Sequence, residues 1–156
     1  MTFDLAGATA RIVNMLMEVN GITLAATAYP GTTHEQIPDA DMPFVWVEMG
    51  NATYAPFASD ILVTTREWLL LLYAEKFLTT DKADEDAAWA ACSPYLVSVP
   101  KYFATHKRLS LNDNGFPGVD SVDITTDDGP DSASRKLEFF YGAAFRLRVI
   151  YSEYTR

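Results

Sequence analysis

One long strand pattern in the middle of the chain, from Asp60 to Phe77, constrains the fold more than any other segment. Polar residues alternate through its first half, Thr64–Glu67, whereas Trp68–Ala74 is an uninterrupted run of seven apolar residues. A strand that is apolar on both faces belongs in the middle of a sheet with cover on both sides. We therefore expect Trp68–Ala74 to be central and covered on both faces, with a partner chain able to supply one cover.

The order of the other elements predicts an α+β fold. A stripe of apolar residues at steps of three and four predicts a helix over Phe3–Val19. We expect one domain over residues 1–156, a single antiparallel or mixed sheet of about five strands flanked by two main helices, in the order α-β-β-β-α-β-β. Besides the central strand, the patterns predict strands at Ile22–Tyr29, Phe44–Met49, Val119–Asp127 and Leu137–Tyr154, and helical structure over Asp81–Leu109.

Breaking residues set the expected ends of the helices. Asp4 or Thr2 can cap the first helix, and Asn20-Gly21 supplies its left-handed stop. Pro94 and Pro100 interrupt the second helical stretch, since a proline inside a helix lacks the amide proton and clashes with the preceding turn. We expect two pieces there, the second from about Pro100 to Arg108 with Pro100 in its first turn.

Three connections separate the strands. Asn51–Ser59 contains Pro56 and is expected to link the second strand to the third. The Pro30–Pro43 and Asp128–Lys136 loops are polar and rich in turn-forming residues, so neither is needed for the core. Our hypothesis is that both loops contact partners, and the alternative is that they are ordinary solvent loops. The candidate contacts in them are His34, Glu35, Asp128, Arg135 and Lys136.

The last strand predicts which side of the sheet faces the helices. Alternation places Phe145, Leu147, Val149 and Tyr151 on one face, which we expect to form core. Arg146 and Arg148 then share the opposite face, partly exposed and paired with acids of this chain or a neighbour. Together with Arg66 of the central strand, these two arginines are hypothesised subunit contacts.

The acidic balance of the chain limits its partners. The formal net charge is −9 and the isoelectric point is near 4.5, a surface that repels phosphate backbones. The longest wholly apolar run is too short to span a membrane, and Met1–Asp4 shows no signal-peptide pattern. The single cysteine, Cys92, excludes an intrachain disulfide and fits synthesis in a reducing cytoplasm.

Each candidate for chemistry has a plainer interpretation. Asp81, Asp84, Glu85 and Asp86 have metal-ligand side chains, but acids at a helix start commonly serve the helix dipole. His34 and Glu35, with Asp39 and Asp41, have no metal-ligand spacing, so a solvated loop is favoured.

Three further features also favour structural roles. Cys92 lies in an alanine-rich helical run, which is typical of a buried small apolar residue, and His106 suits the end of a helix. The aromatic group at Phe139, Phe140, Tyr141 and Phe145 is more typical of core or interface packing than of base stacking in so acidic a chain. No nucleophile, phosphate-loop or zinc motif is present, so we expect neither an enzyme nor a cofactor.

The chain resembles the tail terminator, or tail-completion, proteins of long-tailed bacteriophages. The resemblance lies in the order of elements over nearly the whole chain and in three stretches, Thr65–Tyr73, Tyr102–Leu109 and Tyr141–Val149. The long Pro30–Pro43 connection departs from that pattern.

The resemblance implies a structural virion protein. Proteins of this family form a hexameric ring that ends elongation of the tail tube and presents a face to the head connector, and they have no catalytic residues. The implied partners are five further copies, the tail tube protein and the head-connector or stopper protein, with DNA passing through the ring without specific binding. The implied location is the virion neck, after synthesis in the bacterial cytoplasm. Other phage neck or minor tail proteins, or a small-molecule-binding α+β domain, are the alternative interpretations.

Overall fold

The elements of the fold are defined in a computed structural model that describes residues 2–28, 39–76, 86–87, 90–112, 114–127, 136–137 and 140–154. Helical backbone also occurs at 86–87 and 90–92, and short 3-10 turns occur at Asp39–Asp41 and Lys107–Leu109. In chain order the named elements are α1 (Leu5–Glu18), β1 (Leu24–Ala26), β2 (Phe44–Ala58), β3 (Ile61–Lys76), α2 (Tyr95–Thr105), β4 (Val119–Asp127), β5 (Lys136–Leu137) and β6 (Phe140–Tyr154).

The strands form one mixed sheet in the order β1-β2-β3-β6-β4, with the two-residue β5 beside β6. β1 runs parallel to β2, and every other neighbouring pair is antiparallel. The predicted α+β class, with a mixed sheet and two helices, is confirmed. β3 lies between β2 and β6, which confirms that the strand containing Trp68–Ala74 is central.

Both helices pack on the same side of the sheet, here called the helix-side face and defined by Trp68, Leu70, Phe145 and Leu147. These four side chains form one core cluster with the buried residues of α1 and α2. The indole N–H of Trp68 donates a hydrogen bond to the Thr9 hydroxyl at 3.0 Å, so the largest buried side chain also ties α1 to β3. The predicted core face of β6 is confirmed.

α1 follows its sequence pattern at both ends. The Asp4 carboxylate accepts a hydrogen bond from the Gly7 amide at 2.9 Å, so Asp4 is the N-cap. The helix ends at Glu18, and Gly21 has φ +95°, the left-handed conformation predicted for the stop. A Cβ at Gly21 would also lie 2.5 Å from the Tyr95 hydroxyl oxygen, because α2 packs against this turn.

The expected connection over Asn51–Ser59 is wrong, because β2 continues through this segment to Ala58. Pairing with β3 resumes at Ala52 after one irregularity in the register, and a second irregularity lies between Pro56 and Ala58. A proline can be accommodated beside a bulge of this kind. Tertiary pairing therefore overrides the breaking residues, and β2 and β3 form a long hairpin.

Three other predicted bounds also need correction. The first strand is only Leu24–Ala26 within the described part, and Leu137–Tyr154 is two antiparallel strands rather than one. α2 begins at Tyr95 after the cap residue Pro94, so Pro100 lies inside the helix rather than in its first turn. Packing of Val99 and Phe103 into the core holds the helix through that proline.

Candidate interaction surfaces

The face of the sheet away from the helices, here called the open face, carries a compact group of charges. It is defined by Glu67, Leu69, Arg146 and Arg148. The Arg148 guanidinium donates to the Glu67 carboxylate at 2.9 Å, and the Arg146 guanidinium donates to the other oxygen at 3.3 Å. The predicted position of Arg146 and Arg148, half exposed and paired with an acid, is confirmed within this chain.

Strand register explains why one carboxylate meets two arginines. Glu67 lies directly opposite Arg148, and Leu69 lies opposite Arg146, so Arg146 reaches Glu67 diagonally across the β3–β6 pair. The hydrogen bond from Arg148 is the main cause that holds the pKa of Glu67 below its usual value, and the charge of Arg146 adds to it. Solvent reaches all three side chains, which screens the attraction.

An apolar cluster covers one end of the open face. Phe44 of β2 and Tyr73 of β3 are buried there and their rings stack with centroids 6.3 Å apart. The Trp46 indole N–H donates to the Thr27 carbonyl at 3.1 Å, which closes the outer side of the cluster. The expectation that Trp68–Ala74 is covered on both faces is therefore met only in part, since Leu69 is just partly buried. The remaining members are Leu24, Ala26, Met42 and Leu71.

A shallow depression of about 390 Å³ lies beside the charge group, where β2 departs from regular register. Gly50 and Asn51 form its rim, and Glu48, Glu67 and Arg146 supply charges. A Cβ at Gly50 would come within 3.2 Å of the Glu67 carbonyl oxygen, so the irregularity brings the two backbones close together. The depression holds two acids and one arginine, which favours a contact with a polar surface over an enclosed ligand site.

The far half of the β2–β3 hairpin exposes large apolar side chains. Tyr54 is 60% exposed and Phe57 is 77% exposed. Arg66, a predicted contact, lies on the helix-side face of this hairpin and donates to the hydroxyls of Tyr151 and Tyr54, each at 3.2 Å. The hydrogen bond to Tyr151 is the main cause that raises the pKa of Arg66. Arg66 is thus held in place by two tyrosines.

Several predicted contacts fall outside the described residues, namely His34, Glu35, Asp128 and Arg135. Lys136 was expected to end a loop, but its backbone belongs to β5 and pairs with Tyr141. Strand pairing with β6 explains that correction, because it extends the sheet back to Lys136. Of the loop expected over Pro30–Pro43, the described end is tied to β1, since the Pro43 carbonyl accepts from the Thr23 amide at 2.9 Å.

The candidates for chemistry have structural roles where they are described. Cys92 is fully buried, and desolvation raises the pKa of its thiol to about 12, which keeps it neutral. His106 caps the C-terminus of α2, where its ring stacks on Tyr102. Of the acidic group, Asp86 is exposed on helical backbone, and Asp81, Asp84 and Glu85 lie outside the described residues, as do Phe139 and the side chains of Phe140 and Tyr141. No group of three metal-ligating side chains occurs in the described ranges.

Sequence analysis did not identify Glu67 or Tyr54 as interaction residues. Glu67 is one of several acids, and only the register of β3 against β6 places it between two arginines. Tyr54 lies in the segment interpreted as a connection, so its strand face could not be assigned. The sequence feature that points to an interaction surface here is the absence of charged residues from Met49 to Ser59, which is unusual for an exposed strand.

Comparison of the sequence with models of protein families gives no match, and comparison with curated proteins gives none either. Within the described ranges, no helix has both the length and the apolar character that crossing a bilayer requires.

Proposed function

We propose that this protein is a structural subunit of a phage neck. Six copies form a ring at the head-proximal end of the tail tube, where the ring ends tube elongation and joins the tail to the head connector. Six chains of 17.3 kDa give an assembly of about 104 kDa. The protein acts by binding other proteins rather than by catalysis, and it works in the virion after synthesis in the bacterial cytoplasm.

The observation that carries the proposal is that the helices cover one face of the sheet and leave most of the other face open. Both helices lie on the helix-side face, while the open face presents a charge group, a depression and, among the described residues, one local apolar cluster. In the described part of the chain, Leu69 and Leu71 of the central strand remain partly exposed on that face. A subunit of a closed ring gains by leaving such surfaces for its neighbours. The order of the helices and strands also supports the proposal, because the chain resembles tail terminators in that order.

The charge distribution supports passage of DNA without specific binding. The chain has a net charge of −9, so six copies would carry −54. The two arginines on the open face already bind Glu67, which leaves them poorly suited to hold phosphates. A ring with this net negative charge repels the DNA backbone at short range, which favours sliding of the DNA over binding.

The contacts with the tail tube and the connector are proposed to involve the two loop regions, Pro30–Pro43 and Asp128–Lys136. Both are polar, and no described residue of either belongs to the core cluster on the helix-side face. Ordering such a segment against a partner costs about 1–2 kcal/mol per fixed residue, so the contacts must be extensive enough to offset that cost. Shortened loops that still gave joined, correctly terminated tails would remove this part of the proposal.

Deletion of the gene in the phage or prophage that carries it tests the function. We expect tail tubes of uncontrolled length that do not join to heads, since nothing would end elongation. Image averages of the complemented neck should show sixfold symmetry for this component. Tails of normal length in the deletion, or a neck component without rotational symmetry, would reject the proposal.

The same deletion separates the ring from the nearest alternative, a head-completion or connector protein of the neck. Loss of that kind of protein leaves tails of normal length beside unjoined heads. Loss of a terminator alters tail length as well. Electron micrographs of the lysate therefore distinguish the two by the distribution of tube lengths.

A further inference from the structure

The two outer edges of the sheet are free over most of their described length. Among the described residues, β1 pairs with β2 only from Phe44 to Trp46, and none pairs with the outer edge of β2 from Val47 to Ala58. β4 pairs with β6 on one side, and no described strand pairs with its other side. Free strand edges present backbone donors and acceptors that can pair with another chain.

The free edge of β2 lacks charged side chains over most of its length, although Pro56 and two register irregularities interrupt it. No charged residue occurs from Met49 to Ser59, although natural edge strands are commonly protected by charges. Met49 is 48% exposed, and Tyr54 is more exposed still. Both residues lie on the helix-side face, because Met49 is opposite Trp68 and Tyr54 is opposite Thr64 in the register.

The free edge of β4 has a groove beside it on the same face. The groove has a volume of about 310 Å³ and lies between α2 and β4. Phe103 of α2 and the partly buried Val122 and Ile124 of β4 give it an apolar floor. Lys101 and Asp123 also line the groove, and on the open face β4 presents polar side chains such as Thr125, which lies opposite Arg146 of β6.

We propose that a second copy of this chain adds the free edge of its β2 to the free edge of β4, so that Met49 enters the groove. Strand direction fits this addition. Each step from β2 through β3 and β6 to β4 is antiparallel, so β2 and β4 run in opposite directions. A copy placed beside β4 in the same orientation therefore continues an antiparallel sheet.

The apolar faces also match. A continued sheet places Met49 and Ala52, which are two strand positions apart in the register, against Ile124 and Val122 on the helix-side face, apolar against apolar. Pairing of two β4 edges would bring the aspartates of this strand together, whereas the β2 edge carries no charge from Met49 to Ala58. Pairing of two β2 edges would leave the groove empty.

This contact is head to tail, so repetition must close a ring or grow a filament. The inference deepens the proposed function by naming the surfaces that join neighbouring subunits. It rests on that function for closure at six copies, but the contact itself can be tested on the purified chain.

Cysteine cross-linking of the full chain tests the contact. Thr53→Cys and Thr125→Cys place exposed thiols on the open face of the two edges, and the buried, neutral Cys92 does not compete for a bis-maleimide reagent. An equimolar mixture of the single variants should cross-link at high protein concentration. Each variant alone should not. Self-linking of the Thr53→Cys chain, or no link in the mixture, would overturn the proposal.

A matched pair of methionine variants shows whether the groove is used. Met49→Lys in the cross-linking background should lower the yield about tenfold, because the lysine charge would have to enter an apolar groove. Met17→Lys is the control, since Met17 is 41% exposed and belongs to α1 rather than to either edge strand. Equal yields from the two variants would contradict the proposed placement of Met49.

The deletion experiment tests the proposed function, and the cross-linking experiment tests the proposed contact, so the two proposals can be rejected independently. Uncontrolled tail length without a cross-link would keep the ring function and reject this contact. A cross-link with normal tails in the deletion would establish the contact and reject the function.

Discussion

The two faces of the sheet are built by different means from the same strands. Along β6, Phe145, Leu147 and Val149 are fully buried against the helices, while Arg146 and Arg148 between them point the other way and bind Glu67. The helix-side face is stabilised by burial of apolar surface within one chain. The open face is held by screened charges and one local cluster. Fold stability should therefore depend on the first face, and assembly on the second face and the edges.

The largest expected effect is on the helix-side face. Leu147→Ala should lower the free energy of unfolding by about 2–5 kcal/mol, because loss of the fully buried side chain leaves a cavity in the core between the sheet and the helices. Urea unfolding followed by circular dichroism measures the change.

The matched control for this variant is Ile150→Ala on the open face of the same strand. Ile150 is only partly buried, so we expect a loss of about 1 kcal/mol or less. Equal losses at Leu147 and Ile150 would mean that the two faces are covered alike, and the contrast between them would be wrong.

A smaller effect is expected at the start of α1. Asp4→Ala should cost about 0.5–2 kcal/mol, because the Gly7 amide loses its hydrogen-bond acceptor. Asp4→Asn is the control, since an asparagine caps about as well, and it should restore most of the stability in the same urea assay. A loss in Asp4→Asn as large as in Asp4→Ala would show that charge, rather than capping, is what Asp4 supplies.

The smallest effect is expected on the open face. Glu67→Gln should cost about 0.2–1 kcal/mol, since solvent screens its contacts with Arg146 and Arg148. Arg148, the main cause of the shift, lowers the pKa of Glu67 in the folded state. The contribution of Glu67 is therefore present above the unfolded-state pKa of about 4.3 and is lost as the pH falls through the lower folded-state pKa.

Two measurements check this open-face prediction. The side-chain carboxyl of Glu67, followed by NMR, should titrate below the ordinary range for glutamate. The stability difference between the wild type and Glu67→Gln should vanish at the acid end of the titration. A Glu67 that titrates in the ordinary range would contradict the charge group as described.

Periodic burial made much of the fold predictable. The stripe Leu5, Ala8, Ile12 and Leu16 fixed α1, and alternation through Phe145–Tyr151 assigned the core face of β6 correctly. The central position of β3 followed from its apolar run. In each case, contact with a single core imposes a period that the sequence displays directly.

Pairing between distant strands made the rest hard to predict. Gly50, Asn51 and Pro56 are local signals for a break, yet β3 holds β2 extended beyond them. Pro100 is likewise kept inside α2 by the burial of its neighbours Val99 and Phe103. The charge group depends on register alone, because no local pattern shows that Glu67 will lie opposite Arg148.

The unequal support of the two hairpin strands has a consequence for local dynamics. β3 has neighbours on both sides along its length, whereas β2 beyond Trp46 has one described neighbour. Amide hydrogens of Ala52–Ala58 should therefore exchange with solvent faster than those of β3, through local opening that leaves the core intact. A segment that opens at so low a free energy can adjust its twist to fit a neighbouring strand. Slower exchange of these amides in the assembled protein would therefore show that another strand has paired with this edge.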